Sequence, residues 1–301
     1  RVLADAGWDV EADGLGGAPP ITVVVGEHRH STIDRAVRLL GLGAGRMVPV
    51  ASDDRGRMRA DVLDAALVDV TGPLIVCAQA GEVNTGAFDP FEDIVAAAHA
   101  RGGWVHVDGA FGLWARSCAD RRHLAAGAEG ADSWSVDGHK WLNVPYDAAF
   151  AITAHPADHA AAMMQRAPYL LAGEDLRQDP MNWSPEASRR ARGLAVYAAI
   201  RSLGRDGVDA MVARHCRLAV RFADQLAAAG VEVLNEVVLN QVLVTFPDTA
   251  AVVERVQRDG TCWVGGTTFK GRAAMRISVS GWATTEDDVD RSVAAILRAA
   301  A

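Results

Sequence analysis

Lys140 and Lys270 are the two lysines of this 301-residue chain, and the neighbours of Lys140 suggest chemistry. It stands in residues 135–142 (SVDGHKWL), after an apolar strand and a glycine turn, beside the aromatic Trp141. An amine so placed can be partly desolvated. Desolvation lowers its pKa, and a neutral amine can form an imine with a carbonyl. A His-Lys pair on its own is more often an exposed loop. Asp108, in residues 105–111 (VHVDGAF), shifts that balance. It closes the strand WVHVD, at what would be the carboxyl edge of a parallel sheet, where α/β proteins bind ligands. A carboxylate there can hold a proton on a heteroaromatic ring nitrogen, although a turn or helix-cap aspartate is an equal alternative. Gly109 and Ala110 are small enough for a flat ring to lie against them. In residues 27–34 (EHRHSTID), His30 precedes a helix and could stack on such a ring. A capping role is its alternative, and His28 competes for the same part.

Together, VHVDGAF and SWSVDGHKWLNVPYD, with EHRHSTIDRAVRLLGLG upstream and AGEVNTGAFDP between, resemble the group II decarboxylases of amino acids that depend on pyridoxal phosphate. That family includes aromatic-amino-acid, glutamate and tyrosine decarboxylases. The resemblance runs through nearly the whole chain and ends in MRISVSGWATTEDDVD. It implies pyridoxal 5′-phosphate as cofactor, Lys140 as the lysine that holds it as an imine, and Asp108 as partner of the ring nitrogen. It places His30 on one ring face, Ala110 on the other, His139 at the phosphate, and Asn84 or Thr85 near the ring or the lysine. The implied reaction is α-decarboxylation of an L-amino acid. Amino transfer, or oxidative deamination to an aldehyde, is the rival within enzymes. A non-catalytic truncated remnant is the rival from another class.

Two places depart from the family pattern. Family members carry a Gly/Ser/Thr-rich loop upstream of the stacking histidine, opening a helix whose N–H groups bind phosphate. Nothing before His30 supplies it: 14–17 (GLGG) leads into Ala18-Pro19-Pro20 and a strand, and 265–268 (GGTT) reads as a turn. The chain opens on Arg1 with helix-like sequence. A truncation before Arg1 is therefore expected, with loss of the arm the family uses to dimerise, and a homodimer is expected of the full-length protein. The second departure is in the mobile loop. Matching Trp183 to the family's aromatic puts Pro180 where a tyrosine should protonate the carbanion, and Tyr169 is the other tyrosine of that stretch.

These residues need a scaffold. Apolar runs at 22–25, 74–78, 104–107 and 133–136 alternate with helical stretches, which implies a parallel sheet with helices on its faces. One helix, opened by Ser31, carries Ile33, Val37 and Leu40 on one face, and another, 91–101, stops at Gly102-Gly103. The expected architecture is α/β of fold-type I: a large domain over 1–185 with a mostly parallel, seven-stranded-type sheet, a connecting helix over 186–214 and a small α/β domain over 215–301. Residues 155–185 carry four prolines and read as a lid or mobile loop. Helices are expected at 186–203, 208–229 and 250–257, strands at 231–234, 242–246 and 275–279, and a last helix capped by Thr284 or Thr285.

Composition narrows the partners. The net charge is −8, and no basic run marks a nucleic-acid face. The cluster Arg189, Arg190 and Arg192 reads as a solvated helix face. The four cysteines form no C-x-x-C pair, so no metal site is expected and a reducing, cytoplasmic setting fits. No signal peptide and no apolar stretch of the roughly 18 residues a membrane helix needs are present. The expected partner is a small amino-acid substrate whose side chain the sequence does not name.

Overall fold

A computed structural model describes residues 1–164 and 180–301. The four expected apolar runs form β1 (Thr22–Gly26), β3 (Leu74–Gln79), β4 (Trp104–Asp108) and β5 (Ser133–Asp137). Two further strands complete the sheet: β2 (Val48–Val50) at one edge and β6 (Ala149–Thr153) at the other. The order is β2-β1-β3-β4-β5-β6, with every pair parallel but β5–β6. Among the described residues the sheet thus has six strands, not seven. β2 escaped the sequence reading because it is a three-residue VPV, and an edge strand tolerates a proline that a central one would not.

Two short helices, α1 (Val2–Asp5) and α2 (Val10–Asp13), precede β1. α3 (Ser31–Leu39) buries Ile33 and Val37. Its N-cap is His30, not Ser31, and Leu40 lies beyond the helix end at 61% exposure, so it does not join that face. α4 (Ala60–Ala66) and α5 (Phe91–His99) follow, and α5 packs Phe91, Ile94 and Ala98 against β3 and β4. With Val24, Val76, Val105, Val107 and Trp141 these side chains form the main core. Each large apolar side chain so buried contributes about 1.5–3 kcal/mol before chain entropy is subtracted.

The stretch expected as a lid holds α6 (Pro156–Met163), whose proline occupies the first turn, where no backbone N–H is needed. Residues 165–179, with Tyr169, lie outside the described residues. The helices expected at 186–203 and 208–229 are a single α7 (Arg192–Ala228), interrupted at Gly204 (φ 63°, ψ −176°). Its start is six residues late because the arginine cluster is tied elsewhere. Arg190 donates to the Tyr146 carbonyl (3.2 Å) and Arg192 Nε to Asp147 (2.7 Å), so these arginines pin the chain to the 146–147 turn.

A second, antiparallel sheet has the order β7-β8-β10-β9, from β7 (Glu232–Val233), β8 (Gln241–Thr245), β9 (Gly265–Phe269) and β10 (Arg272–Ser278). GGTT is therefore part of a strand and not a turn. Five register pairs with β10 give its backbone partners, which outweighs the poor strand propensity of glycine. α8 (Thr249–Asp259), α9 (Glu286–Ala300) and the second half of α7 cover one face, burying Leu226, Val242, Met275, Ile277, Val289 and Ile296. Thr285 caps α9 in a reciprocal pair with Asp288.

The turn after β4 presses on the end of β3. A Cβ on Gly112 would lie 2.1 Å from the Ala80 carbonyl oxygen and 2.8 Å from the Gly81 Cα, both rigid backbone. Gly112→Ala is expected to cost about 3 kcal/mol, the upper end for overpacking. Urea denaturation measures it, and an unchanged midpoint would show that the turn retreats without cost.

Candidate active site

Parallel pairing places the carboxyl ends of β1, β3, β4 and β5 on one sheet edge, and the candidate residues gather there. Asp108 ends β4 level with Gln79 of β3 and Ser135 of β5. Its Oδ1 accepts the Ala110 N–H at 3.2 Å, which folds the Gly109-Ala110 turn back on the carboxylate. Neighbouring side chains on the same face form a polar row. His106 Nδ1 meets Ser133 Oγ at 2.9 Å, and Ser133 also receives the Trp104 indole N–H at 2.8 Å. Burial holds His106 below its ordinary pKa, against the pull of Asp108. Burial, and then the Asp108 charge, pushes the Cys77 thiol up to about 12, so this thiol stays protonated.

Lys140 leaves the turn after β5. Its Nζ lies 2.8 Å from Asp137 Oδ2, and its side chain is 39% exposed. Trp141 turns its indole inward, where it is fully buried. Asp137 is the companion that sequence reading passed over. A carboxylate three residues before the lysine was the available signal. His139, expected at a phosphate, instead ties the turn: Nδ1 meets the Ala148 carbonyl at 2.7 Å, its ring lies 4.4 Å from Tyr146, and Nε2 is 3.6 Å from Asp137.

His30 caps α3, with Nδ1 accepting the Thr32 N–H at 3.3 Å. Its competitor His28 contacts Phe269 of β9, ring to ring at 5.1 Å. Asn84 and Thr85 are buried and face one another's loop. Asn84 Nδ2 and Thr85 Oγ1 donate to the buried Glu82, at 2.8 and 3.1 Å, and Asn84 Oδ1 accepts from Thr267 of β9 at 2.8 Å. The structure thus links Asn84 to the small sheet, while the Thr85 side chain stays within its own loop and reaches the Arg55 carbonyl. In the same loop Asp89 accepts the Met58 and Gln79 N–H groups, both at 2.7 Å, and burial pushes it up to about 6. Sequence reading also missed Arg276 of β10. It is half-buried, donates to the Val83 carbonyl at 3.2 Å, and has no carboxylate within ion-pair distance among the described residues. Burial pulls its pKa down, and Glu82 partly offsets this.

The chemistry of these groups fits an aldehyde-bearing pyridine cofactor. An exposed amine and a strand-end carboxylate beside small residues share one edge, and the Asp108 carboxylate has only the Ala110 N–H as hydrogen-bond partner among the described residues. A lysine turn and an acid strand end thus stand side by side on adjacent parallel strands of an α/β sheet. The chain belongs to the pyridoxal-dependent decarboxylase family: residues 18–247 match the pyridoxal-dependent decarboxylase conserved domain. L-2,4-diaminobutyrate decarboxylase of Rhizobium meliloti (strain 1021) is 30% identical over 91% of this chain and 59% of its own length. Tyrosine decarboxylase of Oryza sativa subsp. japonica is 33% identical over 67% of this chain and 40% of its own. The crystal structure of mouse CSAD in apo form superposes with a TM-score of 0.89, covering 99% of this chain and 68% of that one at 22% identity, which speaks for the fold. The chain therefore spans about half the length of these two decarboxylases. No described helix is long and apolar enough to cross a membrane.

His215 of α7, also outside every motif, is fully buried and receives the Trp141 indole N–H on Nδ1 at 2.7 Å. Burial, then the Arg214 charge, lowers its pKa from 6.5 to about 4, against the bond to Gly281. The unfolded chain takes up a proton below pH 6.5 that the fold refuses until about 4. The stability from this group is complete above pH 6.5 and is lost as pH falls towards 4, up to about 3 kcal/mol. Denaturation midpoints measured from pH 7 to 4 should fall more steeply for the native chain than for His215→Asn. Parallel slopes would show that His215 titrates normally in the fold.

Proposed function

We propose that the enzyme removes CO2 from the α-carbon of an L-amino acid, with Lys140 as the residue that holds pyridoxal phosphate through its aldehyde. The observation that carries this reading is the placement of Lys140 and Asp108 at one edge of adjacent strands β5 and β4. The bound cofactor supplies a ring that accepts electrons from a breaking bond at the α-carbon. Asp108 keeps the ring nitrogen protonated by opposite charge, and that proton makes the ring a better acceptor. Asp137 steadies the lysine amine. Ala110 offers a small surface to one ring face and His30 an imidazole to the other, while His139 would reach a phosphate oxygen through Nε2 by leaving Asp137, 3.6 Å away. Arg276, a half-buried cation without a carboxylate partner among the described residues, suits the substrate's carboxylate.

Pro180 favours the second reading, release of an aldehyde or a keto product. It opens the 3-10 helix Pro180–Trp183 and has no proton to give where the family's tyrosine would stand. The free thiols among the described cysteines agree with a reducing cytoplasm, and the exposed Leu194, Tyr197 and Leu203 on α7 agree with a homodimer. The division into 1–185, 186–214 and 215–301 belongs to the same proposal, with α7 as divider.

Product analysis of the full-length protein tests the reading. Amine and CO2 in equal amounts, lost in Lys140→Ala, are expected. Aldehyde with CO2, ammonia and hydrogen peroxide at the expense of O2, or a keto acid with the amino group left on the cofactor, would replace amine formation by its rival, and a colourless protein without product would mark a remnant. Asp108→Asn keeps the shape but not the charge. It should still bind the cofactor and lose kcat about a hundredfold, as when one preorganised charge or donor is removed. A near-normal kcat in Asp108→Asn would take the ring nitrogen away from Asp108.

A further inference from the structure

The turn that carries Lys140 is anchored by His215, which no motif contains. His215 Nδ1 accepts the Trp141 indole N–H at 2.7 Å, and Nε2–H donates to the Gly281 carbonyl at 3.0 Å. Both bonds form only with a neutral imidazole protonated on Nε2. Trp141 lies next to Lys140, and its ring is 6.5 Å from Phe111, in the turn that follows Asp108. A second tie runs beside the first. Asn143 Nδ2 donates to the carbonyls of Trp141 (2.6 Å) and Ser280 (2.8 Å), and its Oδ1 accepts the Trp282 N–H at 3.2 Å. Residues 141–143 are thus fastened to 280–282, beyond the end of β10. One residue earlier the restraint ends: Lys140 Nζ has Asp137 as its one polar partner among the described residues.

We propose that His215 is a positioning residue for Lys140, acting through Trp141. A lysine amine rides on a flexible four-carbon stem, so the protein can aim it chiefly by fixing the backbone from which it leaves. The Trp141 indole is a rigid lever on that backbone, and His215 locks it against α7 and the 280–282 segment. The same lever touches the Asp108 turn through Phe111, so it sets the amine's place relative to the carboxylate across the edge. This inference rests on Lys140 being the cofactor-holding lysine.

The test uses the 301-residue chain and pyridoxal phosphate. The imine is reduced with borohydride, and the pyridoxyl group is counted at Lys140 and Lys270 by peptide mapping. Lys270, exposed after β9 and paired with Asp54, is the internal reference. His215→Phe should lower the Lys140-to-Lys270 ratio about tenfold, within the roughly hundredfold that a 1 Å misplacement can cost. Circular dichroism should still report a folded chain at the labelling temperature. His215→Asn, whose Oδ1 can take the place of Nδ1 as acceptor, should restore most of the ratio. An unchanged ratio in folded His215→Phe overturns the proposal. So does an equal loss of melting temperature in both variants with no change of ratio, because that is a structural role alone. Should His215→Phe not fold, Trp141→Phe removes the same hydrogen bond from the other side and is read by the same two outcomes. A native-chain label mainly on Lys270 would instead overturn the Lys140 reading, and this inference with it.

Discussion

Parallel pairing sends β1, β3, β4 and β5 in one direction, so residues far apart in the chain finish at a common edge. Gln79, Asp108 and Ser135 stand level across three strands, and the turn to Lys140 begins two residues past Ser135. A parallel strand needs a crossover before its neighbour, and α5 provides one with Phe91, Ile94 and Ala98 facing the sheet. The apolar core thereby sets the spacing of polar groups that never touch it. A slip of one residue in β4 would turn Asp108 to the opposite face and bring Val107 to its place.

Keeping polar groups at a buried edge has a cost, which local bonds offset. Glu82 is fully buried yet accepts from the Asn84 and Thr85 backbone N–H groups and both of their side chains. Asp89 takes two backbone N–H groups, which lower its pKa against a larger effect of burial. At the opposite edge Asp132 accepts from Val105 N and contacts His99 and His155 at 2.9 and 2.8 Å. Removing one partner from any of these sets would strand a buried group and cost more than the bond itself contributes. The first two networks make the loop after β3 a rigid support, which a cofactor site needs more than it needs extra contacts.

Polar joints link the two sheets, beside the apolar contact that Leu239, just before β8, makes with the main core. Thr267 to Asn84, Arg276 to Val83, Asn143 to Ser280 and His215 to Gly281 all cross between them or flank the crossing. The first three of these joints land on loops that leave the carboxyl edge of the large sheet, and the fourth lands on α7. The small sheet thus acts on the candidate site through those loops, and its own apolar core, behind β8 and β10, remains separate.

Local pattern determined four strands of the large sheet and several helices, because apolar runs and caps are properties of neighbouring residues. It also determined the family, and it singled out Lys140 and Asp108 as candidates, since HVDGA and DGHKW carry their residue types within a few positions. What local pattern could not show depends on contacts distant in sequence. GGTT became β9 because β10 pairs with it, the start of α7 was set by arginines reaching the 146–147 turn, and Asn84 turned to Thr267 of the small sheet. Arg276 and His215 read as ordinary strand and helix residues until the fold placed one beside the Val83 carbonyl and the other beneath Trp141. A side chain's chemistry is written in its type, but its partners are decided by burial and hydrogen bonding across the folded chain, and that is tertiary information.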